Sequence, residues 1–310
     1  MIHLVALLGV LSISFSAVFV RLAAVSPVTA TFYRAAYAIP VLAAVWAFSR
    51  DAEPRPRRAR LLALASGVIL GIELAFWHRS IALIGVGLAT VLANVQVVVV
   101  AAAAWILYGE RPGGGTAAVI GGILVGVALT SGLARPDAYG SAPIAGVALG
   151  AFSGACYAIF LLMFRAANRA LAPTSGPLLD STIGVALGAL ACAPFDSRFA
   201  FAPSWPAHLW LGLLALISQV IGWLLIAPAL PRLPALETSI VLLVQPVFAL
   251  VWGVLFFAER LSPVQWLGAA LVLAGVGSIS VSRTTLRLPA VPDPAPVQPN
   301  PGASGGVRGV

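Results

Sequence analysis

The chain contains no lysine, only ten carboxylates in 310 residues, two cysteines and three histidines. Charged residues make up 9% of it, against about a quarter in a soluble domain. Too little charge is present to coat a globule in water. Cys156 and Cys192 stand alone in apolar runs, which excludes a disulfide framework and a cysteine metal site. No HExxH pair, no Cys/His metal spacing and no phosphate-cradling loop is found; Gly113-Gly114-Gly115 lacks a following Lys and reads as a linker. No metal, cofactor or catalytic group is expected on these grounds.

What remains is apolar: 60% of residues are hydrophobic, with a mean hydropathy of +1.01. A helix needs about 20 such residues to cross a bilayer. The runs predict helices over Ile2–Val20, Val28–Phe48, Arg60–Ala82, Val86–Leu107 and Thr116–Ser131. A second set covers Pro143–Phe164, Pro177–Pro194, Ala207–Ala229, Ala235–Phe257 and Pro263–Ser282. The first run lacks a basic n-region, so it reads as a retained helix and not as a cleaved signal.

Part of the chain is written twice. Leu88–Ser131 lies on Glu237–Ser280 without a gap, at an offset of 149 residues, so that Gln96 matches Gln245, Glu110 matches Glu259, Arg111 matches Arg260 and Gly126 matches Gly275. Five helices per half is an odd number, so the second half starts on the opposite side and the repeat is inverted. The expected fold is an all-α integral membrane protein with ten transmembrane helices in two inverted five-helix repeats, residues 1–133 and 143–282. The Pro/Gly-rich residues 283–310 read as a disordered cytoplasmic tail.

The net charge of +8 could suggest nucleic acid, but the arginines point elsewhere. With the N-terminus cytoplasmic, twelve of the eighteen fall inside, led by the Arg50–Arg60 cluster. Five fall outside (Arg21, Arg79, Arg135, Arg198, Arg260) and Arg34 lies within a helix. This is the positive-inside bias. It predicts a multi-pass inner-membrane protein with both termini cytoplasmic, in contact with lipid and not with nucleic acid.

Small residues at four-residue spacing recur, as Gly67/Gly71, Gly184/Gly188, Gly122/Gly126 and the triple Gly146/Gly150/Gly154. Such stripes let helix backbones approach where no hydrophobic force drives association. The triple is the least expected by chance.

The endings Gly109-Glu110-Arg111 and Ala258-Glu259-Arg260 each follow a helix with one central Gln and precede a Gly-rich helix. Nearer the start stand Ser14-Phe15-Ser16-Ala17, Ser26-Pro27 and Phe32-Tyr33-Arg34. Together these resemble the EamA-type branch of the drug/metabolite transporter superfamily, over about Leu4 to Ser282. The resemblance implies a secondary carrier or exporter of small metabolites, with a central cavity shaped by the third, fourth, eighth and ninth helices. That family often has Pro in the fourth and ninth helices. Here the ninth keeps Pro246 and the fourth has Val97, which predicts a kink in one half only.

Glu73 is the sharpest candidate. A charge at mid-helix costs roughly 2.5–3.5 kcal/mol on insertion scales and marks a pathway by default. It shares a helical face with Phe76, Trp77 and Ser80, which suits proton coupling or a cationic substrate. The competing reading is an ion pair with Arg34, whose depth differs by only about 4–5 Å at 1.5 Å per residue. Gln96 and Gln245 occupy matching positions and either line the pathway or tie helices together. Thr238 and Trp252, seven residues either side of Gln245, extend a polar-aromatic stripe. Asp180 and Glu237, near inner helix ends, read as structural. So do Glu110, Arg111, Glu259 and Arg260, as loop-fixing pairs. His78 points away from Glu73, and His3 and His208 read as surface groups. A membrane-embedded enzyme or a non-transporting membrane protein are the rival classes. An enzyme would need catalytic groups converging at one depth, and only Arg34 and Glu73 come near.

Overall fold

A computed structural model describes residues 2–49, 55–109, 113–130, 142–168, 173–258 and 262–282. Among them every regular element is helical. The elements are α1 (Ile2–Ser14), α2 (Ser16–Ala23), α3 (Pro27–Phe48), α4 (Arg57–Asn94), α5 (Gln96–Tyr108), α6 (Gly114–Thr130) and α7 (Pro143–Ala167). After α8 (Ser175–Cys192) come α9 (Trp205–Leu213), a π-helical stretch (Leu214–Gly222), α10 (Trp223–Ile226), α11 (Ala229–Arg232), α12 (Ala235–Leu242), α13 (Gln245–Phe257) and α14 (Pro263–Ser282). Seven of the described segments are long and apolar enough to cross a membrane; Leu92–Ala103, Gly114–Leu129 and Pro263–Gly275 are shorter apolar helices.

The predicted runs are present as helix, but several are interrupted where the sequence reading had none. The first stops at Phe15, between α1 and α2. The eighth passes through nine π-helical residues. The predicted break between the third and fourth runs is absent as a loop, because helical conformation is continuous over Arg57–Asn94. It is nevertheless not one rod. A Cβ on Gly150 would lie 2.9 Å from both Ser80 Oγ and a Leu92 methyl. Twelve residues of straight helix would hold those two about 18 Å apart. The chain therefore doubles back between Ser80 and Leu92.

The expectation of a kink in one half only is corrected by the structure. α4 gives way to α5 at Val95, and α12 to α13 at Leu243–Val244, so both halves break immediately before the matched glutamines. Three-residue hydrogen bonds carry each break: Val95 N–H to Leu92 O and Val98 N–H to Val95 O, then Leu243 N–H to Ile240 O and Val247 N–H to Val244 O. Pro246, which lacks an N–H, explains the second break. The first occurs without proline. A further match closes both helices: Gly109 and Ala258, 149 residues apart, have φ of +69° and +52°. The left-handed cap ends a helix readily at Gly and at some cost at Ala.

Helix directions follow from the close contacts. Gly67 abuts the Ser181 carbonyl and Gly71 the Val185 carbonyl, while Gly184 abuts Leu64 and Gly188 abuts Val68, so α8 runs parallel to the first leg of α4. α7 runs antiparallel to that leg: Ala142 N–H reaches Leu83 O, and Ser80 Oγ donates to Gly146 O at 2.8 Å. A Cβ on Gly126 would meet Gly268 O at 2.9 Å, and Gly275 lies against Ile123 and Val119. α6 and its sequence repeat α14 thus pack antiparallel to each other. Gly150 and Gly154 of the triple press on Leu92 and Ala93, as expected of a small-residue stripe.

The core follows these crossings. Its largest cluster runs from Ala6 and Val10 of α1 through Phe160 and Phe164 of α7 to Trp223 and Ile226. A second joins α5, α6, α12 and α14 through Val97, Ile123, Ile240, Leu243 and Val272.

Candidate functional site

Glu73 lies in the first leg of α4, 5% exposed. The α7 face opposite carries Gly146, Gly150, Ser153, Gly154 and Tyr157, spaced so that small residues admit α4 closely and two hydroxyls face it. Ser153, fully buried, donates its Oγ hydrogen to Glu73 Oε1 at 2.6 Å. Tyr157, one turn along, is within electrostatic reach of both Glu73 and Arg34.

Arg34, on α3, is 9% exposed, and among the described residues its Nε makes no hydrogen bond. Arg34 and Glu73 interact electrostatically, yet among the described residues no ion pair within 4.0 Å joins them. A guanidinium and a carboxyl group are thus buried within electrostatic reach of each other without forming an ion pair. A structural salt bridge gains enough to offset burial only with good contact geometry.

Around this pair, Trp77 is half-buried with its indole Nε1 unbonded, its ring 4.9 Å from that of His78. His78 donates its Nδ1–H to the Leu74 carbonyl at 2.6 Å, which ties it to its own helix. Phe76 packs edge-on against Phe152. Of the face predicted around Glu73, Ser80 is committed to Gly146.

The matched glutamines sit elsewhere. Gln96 is 1% exposed and accepts from Ser239 Oγ at 2.9 Å; among the described residues its Nε2 finds no partner. Gln245 is half-buried. The predicted stripe on either side of Gln245 divides. Thr238 bonds back to Pro234 O and, with Arg165, Leu161 and Ser239, borders a void no larger than a water molecule. Trp252 turns to the broken first helix instead, donating Nε1–H to Ser14 Oγ at 2.7 Å and stacking on Phe15 at 4.2 Å between centroids.

The ends of the bundle hold further polar contacts. At the end carrying the basic segment, Arg55 Nη1 meets Asp180 Oδ2 at 2.7 Å, with Arg60 Nε at 3.7 Å, and His3 lies 3.5 Å from Glu237. At the other end, Tyr37 Oη and His208 Nδ1 are 2.6 Å apart beside an open recess of about 470 Å³, also bordered by Trp205 and Leu209. Tyr33 donates to the Phe201 carbonyl nearby. Glu110, Arg111, Glu259 and Arg260 lie outside the described residues, as does the tail from 283.

Sequence reasoning missed Ser153 and Tyr157. They stand 80 and 84 positions from Glu73, and their only local signal was their place on the stripe Gly146/Gly150/Gly154. It also missed the π-helical stretch, where Ser218 donates to Ser12 O at 3.3 Å and Gln219 Nε2 to Thr182 Oγ1 at 3.1 Å.

A bundle of membrane-length helices, with interrupted helices and a buried guanidinium and carboxyl inside it, defines a multi-pass integral membrane protein with a polar interior. Residues 1–132 and 144–281 match the EamA-like transporter family, and the chain belongs to that family. It is similar to the threonine/homoserine exporter RhtA of Escherichia coli K12, with 30% identity over 150 residues, 47% of this chain and 48% of that one. The transporter YwfM of Bacillus subtilis is 29% identical over 144 residues, 45% of this chain and 46% of its own length. The alignments span about half the length of these relatives. A solved structure at 18% identity superposes with a TM-score of 0.75, covering 92% of this chain and 99% of that one, which shows the fold alone.

Proposed function

We propose that this protein is a secondary transporter that exports a small organic solute across the inner membrane by alternating access, with Glu73 as its proton-coupling group. The observation that carries this reading is the buried carboxylate of Glu73, held by Ser153 near an uncontacted Arg34 inside a bundle of membrane-length helices. An ionisable group at that depth marks a pathway by default, and a carboxyl can take up and release a proton where a Gln could not.

The proposed topology is ten crossings in two inverted halves, residues 1–133 and 143–282. Antiparallel packing of α6 on its repeat α14 supports inversion, because halves related by an axis along the membrane normal would set equivalent helices parallel. The three shorter apolar helices bring the seven long segments to the required number. The arginine bias supports a cytoplasmic location for both termini and for the Arg55–Asp180 contact. Export takes support from the likeness to RhtA. Gln96, whose Nε2 has no partner among the described residues, and Gln245 are assigned to the pathway wall; Thr238 and Trp252, which bond to Pro234 and Ser14, are left as tethers.

Solute flux in proteoliposomes tests the reading. Wild type should move a solute in one direction in exchange for protons moving down their gradient in the other, and Glu73→Gln should flatten the pH dependence. Intact flux in Glu73→Gln with unchanged pH dependence would eliminate coupling at this residue, and no flux for any solute would eliminate transport.

A further inference from the structure

We propose that the recess between α3 and α9, at the end opposite the basic segment, is a lipid site that selects a phospholipid whose headgroup carries an ammonium group. It is bordered by Tyr37, Trp205, His208 and Leu209 and has a volume of about 470 Å³. Neither Glu73 nor Ser153 borders it, so it is separate from the polar interior described above.

Its depth follows from the two helices. Both start at this end, where Ala200 N–H, just before α9, bonds Thr29 Oγ1 in the first turn of α3. Tyr37 lies about 15 Å along α3 from Pro27, and His208 about 4.5 Å along α9 from Trp205. Side chains lean toward the N-terminus of their own helix, so Tyr37 Oη rises to within 2.6 Å of His208 Nδ1. The recess therefore occupies the band between the headgroups and the upper acyl chains. Its open side faces the bilayer: Trp205 and Leu209 are 79% and 58% exposed at the start of the membrane-length span Trp205–Arg232. Further along that span a Cβ on Gly212 would meet open space and Leu216 is exposed, so apolar surface continues inward for an acyl chain. An occupant of this recess comes from the lipid and not from water.

The lining sets the headgroup. Among the described residues no arginine and no carboxylate borders the recess. What it offers is aromatic rings. Tyr33 backs the wall, its ring 5.2 Å from that of Tyr37 and 5.6 Å from that of His208, and Trp205 stands 6.1 Å from His208. The Tyr33 hydroxyl is engaged with the Phe201 carbonyl, which fixes that ring. Aromatic faces carry negative potential and attract an ammonium, Trp most strongly. Where the Tyr37 hydroxyl donates to His208 Nδ1, the ring hydrogen lies on Nε2 and can bond a phosphate oxygen. Ammonium on the rings and phosphate on the imidazole is the charge pattern of a zwitterionic phospholipid headgroup. A glycerol headgroup has no cation to place on the rings.

The test uses the full-length protein, purified in mild detergent, with dioleoyl phosphatidylethanolamine, phosphatidylcholine and phosphatidylglycerol as competing probes. Retained lipid is counted by native mass spectrometry in wild type and in Trp205→Leu. Lipid held by the arginines at the other end is common to both proteins, so the difference between them reports the recess. The lipid lost in Trp205→Leu should be ammonium lipid over phosphatidylglycerol by roughly fivefold or more. Trp205→Phe should lose less of it. Trp266→Leu, at an exposed tryptophan near the start of α14 that does not border the recess, should lose none. Trp205 is exposed, so its replacement leaves the core intact. No lipid lost in Trp205→Leu, a loss shared equally among the three probes, or the same loss in Trp266→Leu would overturn the proposal. A Trp205→Leu protein that differs from wild type in oligomeric mass and not in lipid would give the recess to a second copy and overturn it too. Lipid retention here does not involve Glu73, so these outcomes are separable from those of the flux test.

Discussion

Replacing Gly71 by alanine should loosen the α4–α8 crossing. An ideal Cβ there would lie 2.6 Å from the Val185 carbonyl oxygen and 3.0 Å from Ala189 N and Gly188 Cα. Ordinary contact begins near 3.4 Å, so the shortfall is 0.8 Å (3.4 − 2.6), and the obstacle is backbone that cannot rotate away. Relief requires the two helices to separate by about that much, and a gap of 0.5–1 Å forfeits about a quarter to a half of each facing dispersion contact. The overpacking cost is about 1–3 kcal/mol. Alanine returns about 0.8–1.0 kcal/mol of helix propensity. Gly122→Ala is the matched control, since its Cβ would enter open space within a helix and collects the propensity gain alone. The two variants should therefore differ by about 1–3 kcal/mol, or roughly 2–12 °C in apparent melting temperature at about 2–4 °C per kcal/mol. The assay is thermal unfolding in detergent followed by fluorescence-detected size exclusion. A Gly71→Ala protein that melts at or above Gly122→Ala would refute the reasoning. Combining Gly71→Ala with Gly188→Ala should cost less than the sum, because both act on one gap.

Asp180→Asn should destabilise by about 3–5 kcal/mol by stranding the buried guanidinium of Arg55, and Arg55→Gln in the same chain should recover part of that loss, read as detergent melting. Ala258→Gly should stabilise by up to about 1 kcal/mol in the same assay, since it relieves a left-handed alanine at the position where the first half already carries Gly109. Val97→Pro, which gives α5 the proline that α13 has, should cost well under the ~3 kcal/mol expected of Val100→Pro one turn deeper, because the helix already breaks at Val95. Trp252→Phe should keep the stack on Phe15 but lose about 0.5–1.5 kcal/mol with the Ser14 hydrogen bond, and Ser14→Ala should add little to it.

How much of this could be read from the chain depended on the range of the signal. Apolar runs are local, so the helices were legible, and the depth of Glu73 and Arg34 could be counted along them. The 149-residue offset was legible too, and the structure extends it to the paired breaks and the paired left-handed caps. Partners were not legible. Ser153 reaches Glu73 across 80 residues, and a serine in an apolar run has the same sequence appearance whether it faces a carboxylate or bonds its own helix, as Ser12 does with Leu8 O. Trp252 shared a helical face with Gln245 in projection. The break at Leu243–Val244 lies between the stripe's Thr238 and the rest of it, and Trp252 lies nearer α1. Helical projection assumes an unbroken helix, and that assumption failed at the site of interest.

The breaks themselves have a common physical basis. In lipid every backbone group must find a partner, so a helix can be interrupted only where polar side chains or another helix supply one. Four of the interruptions have polar residues beside them: Ser14 and Ser16 at Phe15, Gln96 at Val95, Gln245 at Val244, and Ser218 with Gln219 inside the π-helical stretch. Three of these tie to a different helix, through Trp252 to Ser14, Ser239 to Gln96 and Gln219 to Thr182. The uninterrupted leg of α4, by contrast, is held by glycine crossings to α8 and small residues of α7, where backbones meet with no polar side chain required. Glu73 projects from that rigid leg. The buried charge is thus fixed on the tightest-packed part of the bundle, and the backbone irregularities lie on helices 1, 4, 8 and 9 of the proposed ten, where polar tethers and not close packing set the geometry.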